Sequence, residues 1–519
     1  MTASYFSCLT ARVLRPNAWA VLLAGMSAAS LGHADTSSWQ SWQLPENNEL
    51  RVPSLQGDGL SFADRRQNKL MGEWALQTLN GRTKMLHDPW VQEVITNMTW
   101  RLNSEVRQQA PLATVIIDNP NINAFAAPGG VIGINTGTIS AASSMDELAS
   151  VIAHEVAHVS QRHYEHGDDA RRQAMMMQIG GMLAAIAASA VDGDAATAVM
   201  MGSQTAAMNN AMAFSRSNER EADRIGMDIM TQAGYDPRAM PRFFAKLNQS
   251  NQLNQTKNQF LPSFIRSHPL SSERLSDAQS RARQYPAASL NQQAQHQVLF
   301  DMLYWRVQQL SQEASKTALT TAAKNSTGAK MALMQWYGEQ QDFAEAEALY
   351  QSLQATAKSQ PEIELLLSIS YADVLSEQQK WNDAANLLAA QQRIYPERRD
   401  LRIYLAEALL ETARVQEAQA LLKPLTQSNP ADRAAWQALQ RVNEKIAKTT
   451  SDRKLADIAT VNALRYRSHD QLWNGRYNAA LISLTQAQTV AKQGSATSSL
   501  LPIINEEISA VKTAQEYQP

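Results

Sequence analysis

A chain of 519 residues is long enough for two or three domains, each with its own core. Charged residues make up 18% and nearly cancel, leaving a net charge of −2 with no Lys/Arg-rich run, so no nucleic-acid partner is expected. The single cysteine, Cys8, lies in the leader described next, which excludes a disulfide framework, a thiolate metal ligand and a cysteine nucleophile from the mature chain.

The N-terminus reads as a secretory signal over residues 1–34. Arg12 and Arg15 supply positive charge, Ala18 to Leu31 is a short apolar run, and Gly32-His33-Ala34 is a small-x-small cleavage site. Residues 35–60 read as an extended lead-in. Helical periodicity follows over Phe62 to Leu79 and again from Val91 to Leu102. Thr114-Val115-Ile116-Ile117 is short and β-branched, hence a buried strand. Pro128-Gly129-Gly130 is a turn, and Val131-Ile132-Gly133-Ile134-Asn135 after it is a glycine-spaced strand. Glycine and proline in a strand suggest an edge that another backbone approaches. Gly130, Val131, Ile132 and Gly133 are therefore expected to hold an extended peptide by β-augmentation.

The next segment carries the chemistry. Val151 to Val159 contains His154-Glu155-Val156-Ala157-His158, an H-E-x-x-H motif in an apolar run. Positions four apart share a helix face, so His154 and His158 can offer two imidazole nitrogens to one Zn²⁺. Glu155 sits one residue along, placed to reach water without being a ligand. Ser144 and Glu147 form an S-x-x-E capping box at the start of this helix.

Residues 175–212 hold eight of the chain's 20 methionines among runs of Ala and Gly. Such a surface is adaptable. A core hairpin, a lid over the site and a flap making peripheral membrane contact are the alternatives, with the lid favoured. A helix follows from about Phe214 to Ala233, stopped by Gly234-Tyr235-Asp236-Pro237. Glu219 and Asp223 share one of its faces. One carboxylate can complete a His₂Glu site and the other can fix the tautomer of a ligating histidine. Glu221 points elsewhere. Residues 248–260, rich in Asn and Gln, read as a loop. Pro269 keeps His268 out of a helix, from where it can stabilise an oxyanion or ligate the metal and block it. A helix capped by Ser271 or Ser272 then runs to Arg283.

The C-terminal part is helical and repeats. Phe343…Ala346, Trp381…Ala384 and Val415…Ala418 align at steps of 38 and 34 residues, and Tyr395-Pro396 recurs 34 residues later as Asn429-Pro430. A weaker copy stands at Trp473 to Ala480. This is a tetratricopeptide period. Each helix pair must stack on its neighbours, leaving a concave face for peptides or proteins.

N-A-F-A-x-P-G-G, D-E-L-A-x-V-I-A-H-E-x-A-H-V, E-R-E-A-D-R and S-H-P, in that order over residues 60–285, resemble the zinc metallopeptidases related to the CAAX-prenyl proteases and HtpX. With a leader and a repeat array, the whole chain is similar to the periplasmic branch of that family. The resemblance implies His154, His158 and Glu219 as zinc ligands, Glu155 as general base, Asp223 behind the ligands, and His268 as a switch that ligates zinc at rest. It also implies quality control of outer-membrane proteins, with proteolytic and chaperone-like action on unfolded or stalled barrels, including the lipopolysaccharide-transport barrel. Docking onto the outer-membrane β-barrel assembly machinery would go through the repeats. Arg274, with His268, is a candidate for stabilising the tetrahedral oxyanion. The expected fold is mainly α. A gluzincin-like α+β metalloprotease domain with a small sheet (35–290) precedes an α-helical tetratricopeptide solenoid (291–519). The expected function is that of a zinc metalloendopeptidase. The alternative is a repeat-based chaperone whose protease site is secondary.

Overall fold

In the computed structural model, residues 62–106, 112–127, 129–161, 216–256, 264 and 268–517 are described. The leader, the methionine-rich insert, Pro128 and Ser267 lie outside them. The described residues belong to one compact unit, and none of their helices is long and apolar enough to cross a membrane.

The first helices are α1 (Phe62–Arg82) and α2 (Pro89–Ser104). Asp88 caps α2, its Oδ1 accepting the Val91 N–H at 2.8 Å, and Pro89 takes the first turn, where a missing N–H costs nothing. Three strands follow: β1 (Ala113–Ile117), β2 (Ala124–Ala127) and β3 (Val131–Asn135). Their order is β1-β3-β2, with β1 parallel and β2 antiparallel to β3.

The strand expected to be an edge is therefore the central one. Both hydrogen-bonding sides of Val131, Ile132 and Gly133 are taken, so β3 cannot add a substrate strand. The glycine has a different cause. A Cβ on Gly133 would fall 2.2 Å from the Phe125 ring, so its missing side chain accommodates the neighbouring strand's phenylalanine. Gly130, at φ +81°, belongs to the turn entering β3.

Next come α3 (Thr136–Ala141) and α4 (Met145–Ser160), the hub of the fold. α4 packs against α2, β2 and β3, and against three later helices: α5 (Arg216–Gln232), α6 (Ala239–Thr256) and α8 (Leu290–Leu310). It is buried nearly all round, and Leu148, Ile152 and Val156 are 0–1% exposed. Each such side chain contributes about 1.5–3 kcal/mol of burial. Gly226 on α5 lies where a Cβ would come within 3.4 Å of the Ala153 and His154 backbone, so its bareness lets α5 close on α4 beside the first histidine.

Ser144 caps α4 by accepting the Glu147 N–H, but the reciprocal half of the expected box is absent. Glu147 instead accepts from the Ser143 N–H at 2.8 Å and from Lys246 at 2.5 Å. α6 continues to Thr256, so residues 248–256 of the expected 248–260 loop are helix. Phe243, Phe244 and Leu247 anchor it in the core, which outweighs the weak helix preference of its Asn residues. α5 ends at Gly234 with φ +78°, where the Tyr235 N–H reaches back to Met230. α7 (Ser272–Ala282) is capped by Ser271.

The repeat array continues as α9 (Lys316–Ala322), α10 (Thr327–Glu339), α11 (Phe343–Ala357), α12 (Pro361–Glu377), α13 (Trp381–Ile394), α14 (Arg399–Glu411), α15 (Val415–Ser428), α16 (Arg433–Thr449), α17 (Arg453–Trp473), α18 (Tyr477–Gln493) and α19 (Leu501–Glu516). Its turns repeat at one conformation. Gln341, Gln379, Ala413 and Gly475 each have φ between +59° and +65°, two residues before α11, α13, α15 and α18. In each turn the following N–H bonds a carbonyl five residues back, the six-to-one closure of a Schellman motif.

The array is joined to the first domain through buried polar groups. Asp88 receives Arg306 of α8 at 2.7 Å and the Tyr404 hydroxyl of α14 at 2.9 Å. Arg306 also donates to Gln335 and Ser370, both at 3.1 Å. Farther along, the Asn80 amide donates to the Trp473 carbonyl at 2.9 Å and the Tyr477 hydroxyl to Gln77 at 2.8 Å.

Candidate metal centre

The centre is made by α4 and α5, which lie side by side, and by the segment entering α7. His154, Glu155 and His158 project from one stretch of α4, and Glu219 and Asp223 from one face of α5. His268 stands ahead of α7, its N–H bonded to the Phe264 carbonyl at 2.8 Å. All six are buried, His268 at 1% exposure.

Four of them converge. Donor atoms of His154, His158, Glu219 and His268 lie within 4.8 Å of one another. The two Nε2 atoms of His154 and His158 are 3.1 Å apart. Glu219 Oε2 is 3.4 Å from His154 Nε2, and its Oε1 is 3.4 Å from His158 Nε2. His268 Nδ1 is 3.3 Å from His154 Nε2 and 3.1 Å from Glu219 Oε1. Metal–donor bonds of about 2.0–2.1 Å put tetrahedral donors about 3.3–3.4 Å apart. The separations fit a bound ion. Two imidazole nitrogens at right-angled rings, 81° apart, gain little from facing each other otherwise.

The electrostatics point the same way. Burial alone would lower His154, but Asp223 and Glu219 outweigh it and raise it to about 10. Burial lowers His158 well below the usual range, and the charges on His154 and His268 add to that against Glu219. Burial opposes ionisation of Glu219, yet His268, His154 and His158 together hold it well below the carboxylate range. The cluster thus draws positive charge to its centre, a proton or a metal cation.

Glu155 is the odd carboxylate. It is fully buried, with the Ala126 backbone N–H as a hydrogen-bond partner and His268 and His154 nearby. Burial pushes its carboxyl up, opposed by His268 and His154. Its Oε1 lies 3.4 Å from His268 Nε2. A buried carboxylate beside the donor cluster and outside the donor set is the group that would face a water or a reacting amide.

Asp223 touches the centre from behind. Its Oδ1 lies 3.0 Å from His154 Nδ1. Burial would raise Asp223, but His154 and Arg274 hold it below its ordinary value. Arg274 changes role relative to expectation. Its Nε and Nη2 donate to the two Asp223 oxygens at 2.8 and 2.7 Å, its Nη1 to the Pro269 carbonyl at 2.9 Å, and Nη1 also lies 2.7 Å from Glu219 Oε2. Asp223, Glu219 and the Pro269 carbonyl thus engage at most four of its five N–H groups, and its main contacts are to the two carboxylates. Glu221 is outside the donor group. The residues that sequence reasoning missed are Arg274 as a clamp, and Lys246 with Glu147 at the start of α4. Each reads as a solvated charge until distant elements pack over it.

Residues 85–282 match the model of peptidase family M48, and residues 375–442 match a tetratricopeptide repeat. The beta-barrel assembly-enhancing protease of Escherichia coli K12 is 28% identical over 491 residues, covering 93% of this chain and 94% of its own. A Vibrio cholerae protein that carries the same name provisionally is 29% identical over 462 residues, 87% of this chain and 91% of its own. The mitochondrial metalloendopeptidase OMA1 of Arabidopsis thaliana is 32% identical over 135 residues, 26% of this chain and 25% of its own.

Proposed function

We propose that this chain, which joins an M48 metallopeptidase domain to tetratricopeptide repeats, is a periplasmic zinc endopeptidase acting in assembly and quality control of outer-membrane β-barrel proteins. The observation that carries the enzyme reading is the convergence of His154, His158 and Glu219 with Glu155 beside them. Two imidazoles and a carboxylate suit zinc among the common divalent ions. The place of action rests on the leader read at residues 1–34. The substrate class and the barrel-assembly machinery as partner rest on what the full-length relatives are named for.

When bound, zinc supplies Lewis acidity toward the scissile carbonyl and toward water. His154, His158 and Glu219 hold it. Glu155 takes the proton from the attacking water and returns it to the leaving amine. Asp223 orients His154, and Arg274 orients Asp223 and Glu219 together. Arg274→Met is therefore expected to weaken zinc binding about 10–100-fold, the usual effect of losing a group that orients a ligand. Arg274→Lys, keeping charge but not the fork, should recover part of it. Competition with a chelator reads both; unchanged affinity in the Met variant would remove Arg274 from the centre.

His268 completes a four-donor set, and a catalytic zinc keeps one position open. The geometry supports a resting, self-closed centre in which His268 must leave before substrate enters. Metal content and casein hydrolysis of the mature chain, wild type beside His268→Ala, test zinc, activity and self-inhibition together. The variant is expected to hold zinc and cleave casein several-fold faster. Slower cleavage would instead place His268 in the chemistry.

A further inference from the structure

We propose that His296 is a positioning residue for the metal centre, supplied by the helix on which the repeat array is founded. The proposal rests on the metal-centre reading above. His296 lies on α8, beyond the residues that match the peptidase family and before those that match the repeat. It is buried. Its Nδ1 is 3.0 Å from Asp146 Oδ1, and its ring stacks on Tyr235 with centroids 4.9 Å apart and planes 25° apart.

Those two partners sit at the far ends of the two donor helices. Asp146 is in the first turn of α4, and Tyr235 directly follows Gly234, where α5 ends. Asp146 Oδ1 also accepts the Asp236 N–H at 3.1 Å, and the Arg101 guanidinium lies over the Tyr235 ring at 5.0 Å. The start of α4 is thus fastened to the exit of α5. The two helices run antiparallel, joined at one end by this cluster and at the other by the metal donors. His154 is eight residues from Asp146, about 12 Å along the helix. A shift at the fastened end rotates α4 against α5 and changes donor separations that must stay near 3.1–3.4 Å.

What places His296 is the rest of α8. Gln308 donates to the Ser140 hydroxyl at 2.7 Å, Arg306 is clamped on Asp88, and the Gln309 amide reaches Glu339 of α10 at 2.6 Å. The base of the repeat array therefore reaches the two donor helices in part through this imidazole.

The test uses the full chain, stripped of metal and titrated with Co²⁺. His296→Phe keeps a ring against Tyr235 and loses the donor. His296→Asn keeps an N–H at the place of Nδ1 and loses the ring. The Phe variant is expected to bind Co²⁺ about three- to tenfold more weakly in chelator competition, below the 10–100-fold of groups that touch a ligand directly. Its visible Co²⁺ spectrum should shift, and kcat on casein should fall more than KM rises. The Asn variant should stay within about twofold of wild type in all three. If the Phe variant does not fold, His296→Leu takes its place. A folded Phe or Leu variant with wild-type Co²⁺ affinity and spectrum overturns the proposal. So does an equal loss in the Asn variant that follows a lowered melting temperature. A wild-type chain that takes up no Co²⁺ overturns the metal-centre reading and this inference with it, whereas a binding wild type beside a binding Phe variant overturns this inference alone.

Discussion

Glu155→Gln is expected to leave a folded, zinc-loaded chain that cleaves casein at least about a hundredfold more slowly, the lower bound for losing a general base. The substitution is isosteric. The amide keeps an acceptor oxygen for the Ala126 backbone N–H, so folding should change little. The donors of the metal belong to other residues, and the zinc content should remain near one per chain. What disappears is the capacity to take a proton, which an amide lacks. Zinc content, melting temperature and hydrolysis measured on the same preparation separate these effects. A fully active Gln variant would sink the mechanism; a zinc-free one would mean that Glu155 is needed to build the site. The same variant weighs the chaperone reading, in which its ability to support barrel assembly would survive the loss of cleavage.

The second large effect is structural. Arg306→Met strands Asp88 in the interior between two domains. Asp88 is 6% and Arg306 3% exposed, and the pair is joined through two guanidinium nitrogens. Breaking a buried pair from one side costs about 3–5 kcal/mol, because the remaining charge is left uncompensated. Tyr404 still donates to Asp88 and tempers the loss toward the lower figure. Adding Asp88→Asn to Arg306→Met should return most of it, since the orphaned charge is gone and an Asn can still cap α2. Denaturant unfolding of the single and double variants measures both. A loss below about 1 kcal/mol in the single variant would mean that water reaches the junction.

Local patterns carried the parts of this molecule that are local. H-E-x-x-H places two imidazoles on one helical face by spacing alone, and Glu219 with Asp223 does the same for two carboxylates. Pro269 set His268 apart from any helix. The repeat register was readable even across the 38-residue step, because each unit starts from the same short motif; Gln341 and Gln379 mark that step in the backbone.

Long-range choices were not readable. A glycine in a strand looks the same whether a substrate or a neighbouring phenylalanine fills its space, and Gly133 turned out to face Phe125. Strand order depends on which segments meet, so the edge and the centre exchanged places. Asn and Gln suggested a loop at 248–256, where a core anchored by Phe243 and Phe244 holds a helix. Arg274 and His296 are unremarkable in their own neighbourhoods. Their partners lie 51 and 150 residues away.

The bonds from Asn80 to Trp473 and from Tyr477 to Gln77 span 393 and 400 residues. A chain delivered N-terminus first presents α1 and α2 long before their partners exist. α2 receives its Arg306 counter-ion only after 218 further residues, and α1 waits for α17 and α18. Contacts of such high order are the slowest to close. The junction between α1, α2 and the repeats therefore closes only after the repeats have been made. A chain cut short before Trp473 is expected to leave α1 without the partners that close its junction.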